Sequence, residues 1–130
     1  MAYLLDKDTI SYALRGQGRV AERLTNTPPE HVYISAVSEA ELWYGAEKRG
    51  SRKLKRLIED FLQPLTILPF DREAARRFGT ICADLARQGQ PIGVVDTMLA
   101  AVAITRSLSL VTHNGQHFER VNGLVTVDWF

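Results

Sequence analysis

Apolar residues along this chain follow two patterns in alternation: short uninterrupted runs, and longer stretches where they return every three or four positions. The runs Tyr3–Leu5, Val32–Ala36, Leu65–Leu68, Leu108–Thr112 and Leu124–Val127 read as short strands. Between them lie helical patterns. Asp8 or Thr9 is placed to cap a first helix carrying Ile10, Ala13 and Leu14, and a second short helix covers Val20–Leu24 as far as the Asn26-Thr27-Pro28-Pro29 break. Ser38 opens a helix that runs to about Lys48 and closes near Gly50. Leu54, Leu57, Ile58, Phe61 and Leu62 form a stripe that stops before Pro64. Asp71 caps the clearest helix, with Ala74, Ala75, Phe78, Ile81, Cys82 and Leu85 on one face and Gly89 at its end. The last helix, Thr97 to Ser107, is almost wholly apolar, and Ala100, Ala101 and Ala103 suit close packing deep in the domain.

Helices alternating with short apolar strands predict an α/β fold: one domain over residues 1–130, with a mainly parallel twisted sheet of four or five strands and helices on both faces. Ligands of such sheets sit beyond the carboxyl ends of the strands. Asp6 follows the first strand and Thr112 to Asn114 follow a late one, so both are expected to open onto the same edge.

With 130 residues, 45% of them apolar, the chain has enough material for an ordinary core without staples. A net charge of +1 singles out no partner. Cys82 is the only cysteine, which excludes an internal disulfide and a Cys-based zinc site; on its apolar stripe it reads as a small core residue, at home in a reducing cytoplasm. Asp6 interrupts the N-terminal apolar start before a signal sequence takes shape, and Met98–Ile104 falls short of the roughly 20 apolar residues that span a bilayer. A soluble, cytoplasmic protein is expected.

Each candidate acid has a structural alternative. Asp6 and Asp8 repel one another unless a cation or hydrogen bonds offset the charge, yet either also suits a helix cap; Lys7 between them, in an extended segment, points away. Glu41 either reaches back to the backbone of Ser38 in a capping box or serves a site; Glu39, two residues earlier, faces elsewhere. Asp96 shares a face with Leu99, Ala100 and Ala103, so it either caps a helix opening at Thr97 or needs a cation. Asn114 turns the chain with Gly115 or joins the site, and His113 and His117 read as polar loop residues too few for zinc. Carboxylates without cysteine or paired histidines suit a hard cation, Mg²⁺ or Mn²⁺.

Four segments resemble the sequence blocks of the VapC toxins, in the same order: Tyr3-Leu4-Leu5-Asp6-Lys7-Asp8-Thr9, Ile34 to Glu47, Gly89 to Asp96, and Leu110-Val111-Thr112-His113-Asn114. Phe118 to Val121 and Gly123-Leu124 continue the likeness. The resemblance implies a PIN-domain fold and a Mg²⁺- or Mn²⁺-dependent endoribonuclease that cuts RNA, often tRNA. It implies a VapB-like antitoxin as partner, a homodimer within a larger toxin–antitoxin assembly, and contact with DNA only through the antitoxin. It further implies that Asp6, Glu41, Asp96 and Asn114 form the catalytic set, with Asp6 and Asp96 as direct metal ligands and Thr9 in support. Lys7 and Asp8 stand where many members have Thr and Asn. His117 occupies the place of a frequent fourth acid, and Glu119 nearby matches a different family position, so a second metal is not expected to bind well.

Two rivals stand beside this reading. A haloacid-dehalogenase-like phosphatase would explain Asp6-Lys7-Asp8 after a strand, but Thr9 follows too soon for that motif. A non-catalytic PIN-like subunit that binds nucleic acid or protein would explain the missing fourth acid. The basic segment Lys48 to Arg56 is either a solvated helix face or a patch that tracks phosphates. Leu42, Trp43 and Tyr44 are either core or a surface for an antitoxin segment or a second subunit.

Overall fold

The computed structural model describes residues 1–130. Five strands form one sheet in the order β3-β2-β1-β4-β5, and every neighbouring pair is parallel. The strands are β1 (Tyr3–Leu5), β2 (Val32–Ser35), β3 (Thr66–Leu68), β4 (Ser109–Val111) and β5 (Thr126–Val127). The helices are α1 (Lys7–Arg15), α2 (Val20–Thr25), α3 (Ala36–Arg49), α4 (Arg52–Leu62), α5 (Arg72–Arg87) and α6 (Val94–Thr105). Short 3₁₀ turns cover Pro29–His31 and Gly115–Phe118.

Successive strand residues point to opposite faces, and the apolar residues divide accordingly. Leu4 and Leu110 join a core beneath α5 and α6 that includes Ile81, Leu85, Leu99, Val102 and Phe118. Leu5, Val111, Val32 and Ile34 join a second core with Ile10, Val20, Leu42, Ile58 and Trp129, which α1 to α4 cover. Leu4, Leu5, Leu110 and Val111 are completely buried, which is why the two central strands read as unbroken apolar runs. Ala100, Ala101 and Ala103 are also fully buried, and their small side chains let α6 lie close to α5. Cys82 is half-buried at the edge of this packing. No helix is long and apolar enough to cross a membrane.

The expected class, single domain and two-faced covering of the sheet are all present; several boundaries differ, and two of the differences matter chemically. The third helix starts at Ala36, with the Ser35 hydroxyl accepting from the Val37 amide, two residues before the expected start at Ser38. Ser38 therefore lies inside the helix, fully buried, and Glu41 sits in the second turn; the capping box does not form. The sixth helix starts at Val94 and not at Thr97, so Asp96 is not its cap. Gly93 holds that cap position at φ +98°, in a conformation L-residues avoid, and its carbonyl accepts from both the amide and the hydroxyl of Thr97. The cap of α1 is Asp6, whose side chain accepts from the Thr9 amide at 2.8 Å; neither Asp8 nor Thr9 takes that role.

Because α5 and α6 meet through fully buried alanines, Ala101→Leu is expected to destabilise the fold by about 1–3 kcal/mol through overpacking. Urea denaturation of the two proteins measures it.

Candidate metal centre

The connections after β1 and β4 leave in opposite directions. From β1 the chain passes through α1 and α2, on one face, to β2; from β4 it passes through the Gly115–Phe118 turn, whose Phe118 packs on the other face, to β5. A crevice opens between two such strands at their carboxyl ends. Asp6 and Thr112 stand on its two sides. The carbonyl of Val111, the last residue of β4, accepts both the Asp6 amide at 3.1 Å and the buried Thr9 hydroxyl at 3.1 Å, which ties the start of α1 to the end of β4.

Helical spacing then divides the surroundings. Asp6, Asp8 and Tyr12 face a cleft of about 320 Å³ shared with Thr112, His113 and Asn114. Lys7, Ser11, Leu14 and Arg15, on the next face of α1, line a groove of about 480 Å³ with Glu41, Tyr44, Lys48 and Arg49 of α3 and Leu54 and Ile58 of α4. Lys7 is thus helical, and instead of pointing away it comes within 3.5 Å of Asp8. Asp96, in the first turn of α6, places Oδ2 at 2.9 Å from Nε2 of His117. Glu39 accepts from the Trp43 indole at 2.9 Å and takes no part, as its spacing from Glu41 requires.

Electrostatics separates Asp6 from an ordinary cap. Asp71 makes the same contact, accepting from the Ala74 amide at 2.9 Å. That amide and the Arg106 guanidinium hold the Asp71 carboxyl below its usual range. Asp6, with an equally good cap contact, is pushed up: burial dominates, hydrogen bonds from Thr9 and Thr112 oppose it, and Asp8 adds repulsion. Glu41 is also pushed up, first by burial and then by Asp96, Asp8 and Asp6, with Lys7 opposing. Glu41 thus lies within electrostatic reach of Asp6, Asp8 and Asp96, and Asp6 within reach of Asp8.

All of these donors are oxygens, their charges repel, and a divalent cation among them would offset the repulsion, so the residues fit a hard metal ion. As they stand, no three His, Cys, Asp or Glu side chains are close enough to grip one ion together. Such an open mouth suits an ion that keeps several waters and takes only one or two carboxylates directly.

Comparison with known proteins agrees in sequence and in fold. The PIN domain family model matches residues 3–124. The chain belongs to the PIN-domain family, in its VapC branch. The tRNA(fMet)-specific endonuclease VapC of Shigella flexneri is 37% identical over 99% of this chain and 98% of its own length. Ribonuclease VapC2 of Haemophilus influenzae (strain Rd) is also 37% identical, with the same coverage. The crystal structure of DNA-bound VapBC from Salmonella typhimurium contains a chain that superposes with a TM-score of 0.90 at 35% identity, covering 100% of this chain and 99% of that one.

Within this PIN domain the expected catalytic residues fall on separate elements: Asp6 at the β1–α1 junction and Asn114 at the exposed rim share one cleft, Glu41 on α3 lines the neighbouring groove, and Asp96 lies in the first turn of α6. Thr112 belongs with them. It lines the same cleft as Asp6, and its hydroxyl accepts the Asn114 amide at 3.1 Å, a role foreshadowed only by its place after β4. His113 lines the same cleft but is engaged elsewhere, paired with Asp128 at 2.9 Å and stacked on Phe130. Glu119, a spare acid by sequence, is exposed beyond the turn.

A raised carboxyl favours its protonated form in the fold, so Asp6 stabilises least when ionised: stability rises as pH falls through the raised folded value toward the ordinary one. Asp6→Asn keeps a cap acceptor and removes the charge. It is expected to raise Tm at neutral pH, with the gain shrinking on acidification; thermal melts across that range check it.

Proposed function

We propose that this PIN domain is the toxin of a toxin–antitoxin pair, a Mg²⁺- or Mn²⁺-dependent endoribonuclease held inactive by a VapB-like antitoxin. What supports the reading is a chain similar along its whole length to VapC ribonucleases, with Asp6 in the cleft beyond β1 and β4 and Glu41 in the adjoining groove beside Lys7.

Asp6 and Asp96 would hold the ion, and Glu41 would orient the attacking water and take its proton. When bound, the ion supplies Lewis-acid stabilisation of the charge that builds on the phosphate and makes water a better nucleophile. Asn114, at the rim, is placed to hydrogen-bond the scissile phosphate or the leaving oxygen. RNA reaches the acids along the groove between α1, α3 and α4, where Lys7, Arg15, Lys48 and Arg49 meet its phosphates. The basic segment is split in space: Arg52, Lys53 and Arg56 lie on another face of α4 with Leu57 and Asp60, and Lys55 pairs with Glu47. Only Lys48 and Arg49 belong to the path. Tyr44, 68% exposed on the groove wall, offers a surface on which an unpaired base stacks.

The Shigella relative is named for tRNA(fMet), which makes that RNA the first substrate to test. Solved relatives are VapBC complexes, some on DNA, so a VapB-like protein is the expected partner and carries the DNA contact. Dimers of this chain within that assembly, and a cytoplasmic site of action, complete the reading.

Purified chain, freed of antitoxin, is expected to cleave tRNA(fMet) in Mn²⁺ and to stop in EDTA. Partners of metal ligands are themselves worth about 10–100-fold, so Asp6→Asn or Asp96→Asn should cost at least about a hundredfold. Cleavage that survives EDTA and both substitutions would remove the metal from the account; no cleavage of any host RNA would favour a non-catalytic binding subunit. Replacing Lys48 and Arg49 by Glu is expected to raise KM about tenfold with little change in kcat. The salt dependence of binding should flatten by a slope of about 0.7 per lost phosphate contact.

A further inference from the structure

We propose that His117 is a positioning residue for Asp96, the carboxylate read above as a metal ligand. The inference rests on the metal-dependent reading above.

Nε2 of His117 lies 3.0 Å from the Ile92 carbonyl oxygen and 2.9 Å from Oδ2 of Asp96. A carbonyl only accepts, so Nε2 carries the proton and shares it between the two oxygens. The ring is held for this task. It is half-buried, sits edge-on to Phe118 with centroids 5.3 Å apart, and Phe118 itself is 3% exposed in the core. His117 thereby joins the Gly115–Phe118 turn to the segment that leads into α6 and to the first turn of that helix. Oδ2 of Asp96 is committed to the imidazole, while Oδ1 makes no hydrogen bond within the protein. The bond fixes the orientation of the carboxylate and leaves Oδ1 and a second lone pair of Oδ2 for an ion. An acid at position 117 would offer Asp96 no hydrogen to accept and would repel it instead.

Packing alone would also explain a histidine here, and the two explanations differ in what Mn²⁺ binding reports. The full chain and its His117→Gln, His117→Asn, His117→Ala and His117→Glu variants are titrated with Mn²⁺ by electron paramagnetic resonance, corrected for folded fraction from circular dichroism, and assayed on tRNA(fMet). Gln places an amide N–H near the position of Nε2; Asn is polar but too short. The natural protein is expected to bind Mn²⁺. Ala and Asn should weaken it about tenfold and lower kcat in step, with KM for RNA unchanged; Gln should restore most of both, and Glu, which offers no donor, should do no better than Ala. Natural affinity in the Ala or Glu variant, or a Gln variant no better than Asn, would each overturn the role of His117 while leaving the ribonuclease reading intact. A natural protein that binds no Mn²⁺ and cuts no RNA would overturn both.

Discussion

The Val111 carbonyl oxygen is the point on which this structure turns. It ends β4, and it accepts the amide of Asp6 and the hydroxyl of Thr9 together. Both donors belong to the β1–α1 junction, so two short bonds fasten a helix start to the strand beside it at the place where the chain's path reverses. Buried polar groups are costly without partners, and this carbonyl lies in the dry centre of the sheet, where Val111 and Thr9 are almost inaccessible. The bonds therefore do more than close the sheet. They set the direction in which the Asp6 carboxylate leaves the backbone.

That carboxylate serves two ends that conflict. As the cap of α1 it accepts an amide hydrogen, which favours the charge. As a half-buried acid beside Asp8 it is desolvated and repelled, which disfavours it. Asp71 meets the first condition without the second and behaves as a cap should. The contrast between two aspartates in the same local role is the strongest physical sign that Asp6 is kept for chemistry, since a cap alone would be more comfortable at the surface. Asp96, by contrast, has one protein partner, the imidazole of His117.

The groove beside the acids gives the crevice its context. Its walls come from α1, α3 and α4, and its cations come from two distant stretches of chain. Positive walls beside acids suit a polyanion whose backbone is gripped along the groove.

Periodicity and the short apolar runs were enough to read the α/β class, the two-faced sheet and nearly every element, because burial on both faces of central strands leaves no polar position to blur the pattern. The same reading placed Asp6 at the sheet edge, and the family blocks named Glu41 and Asp96. Local rules could not decide among their roles. Ser38 and Glu41 fit a capping box and Asp96 fitted a cap before Thr97, yet Ser35 and Gly93 take those positions. Both helices begin directly after β2 and after the Pro91–Ile92 segment, earlier than either local pattern implied. The bond from His117 to Asp96 spans 21 residues, and that from Thr9 to Val111 spans 102. The sequence by itself determined which residues were apolar, acidic or basic and hence which fold to expect; only the tertiary structure decided which acid met which partner, because that depends on where strands end in space and not on neighbours in the chain.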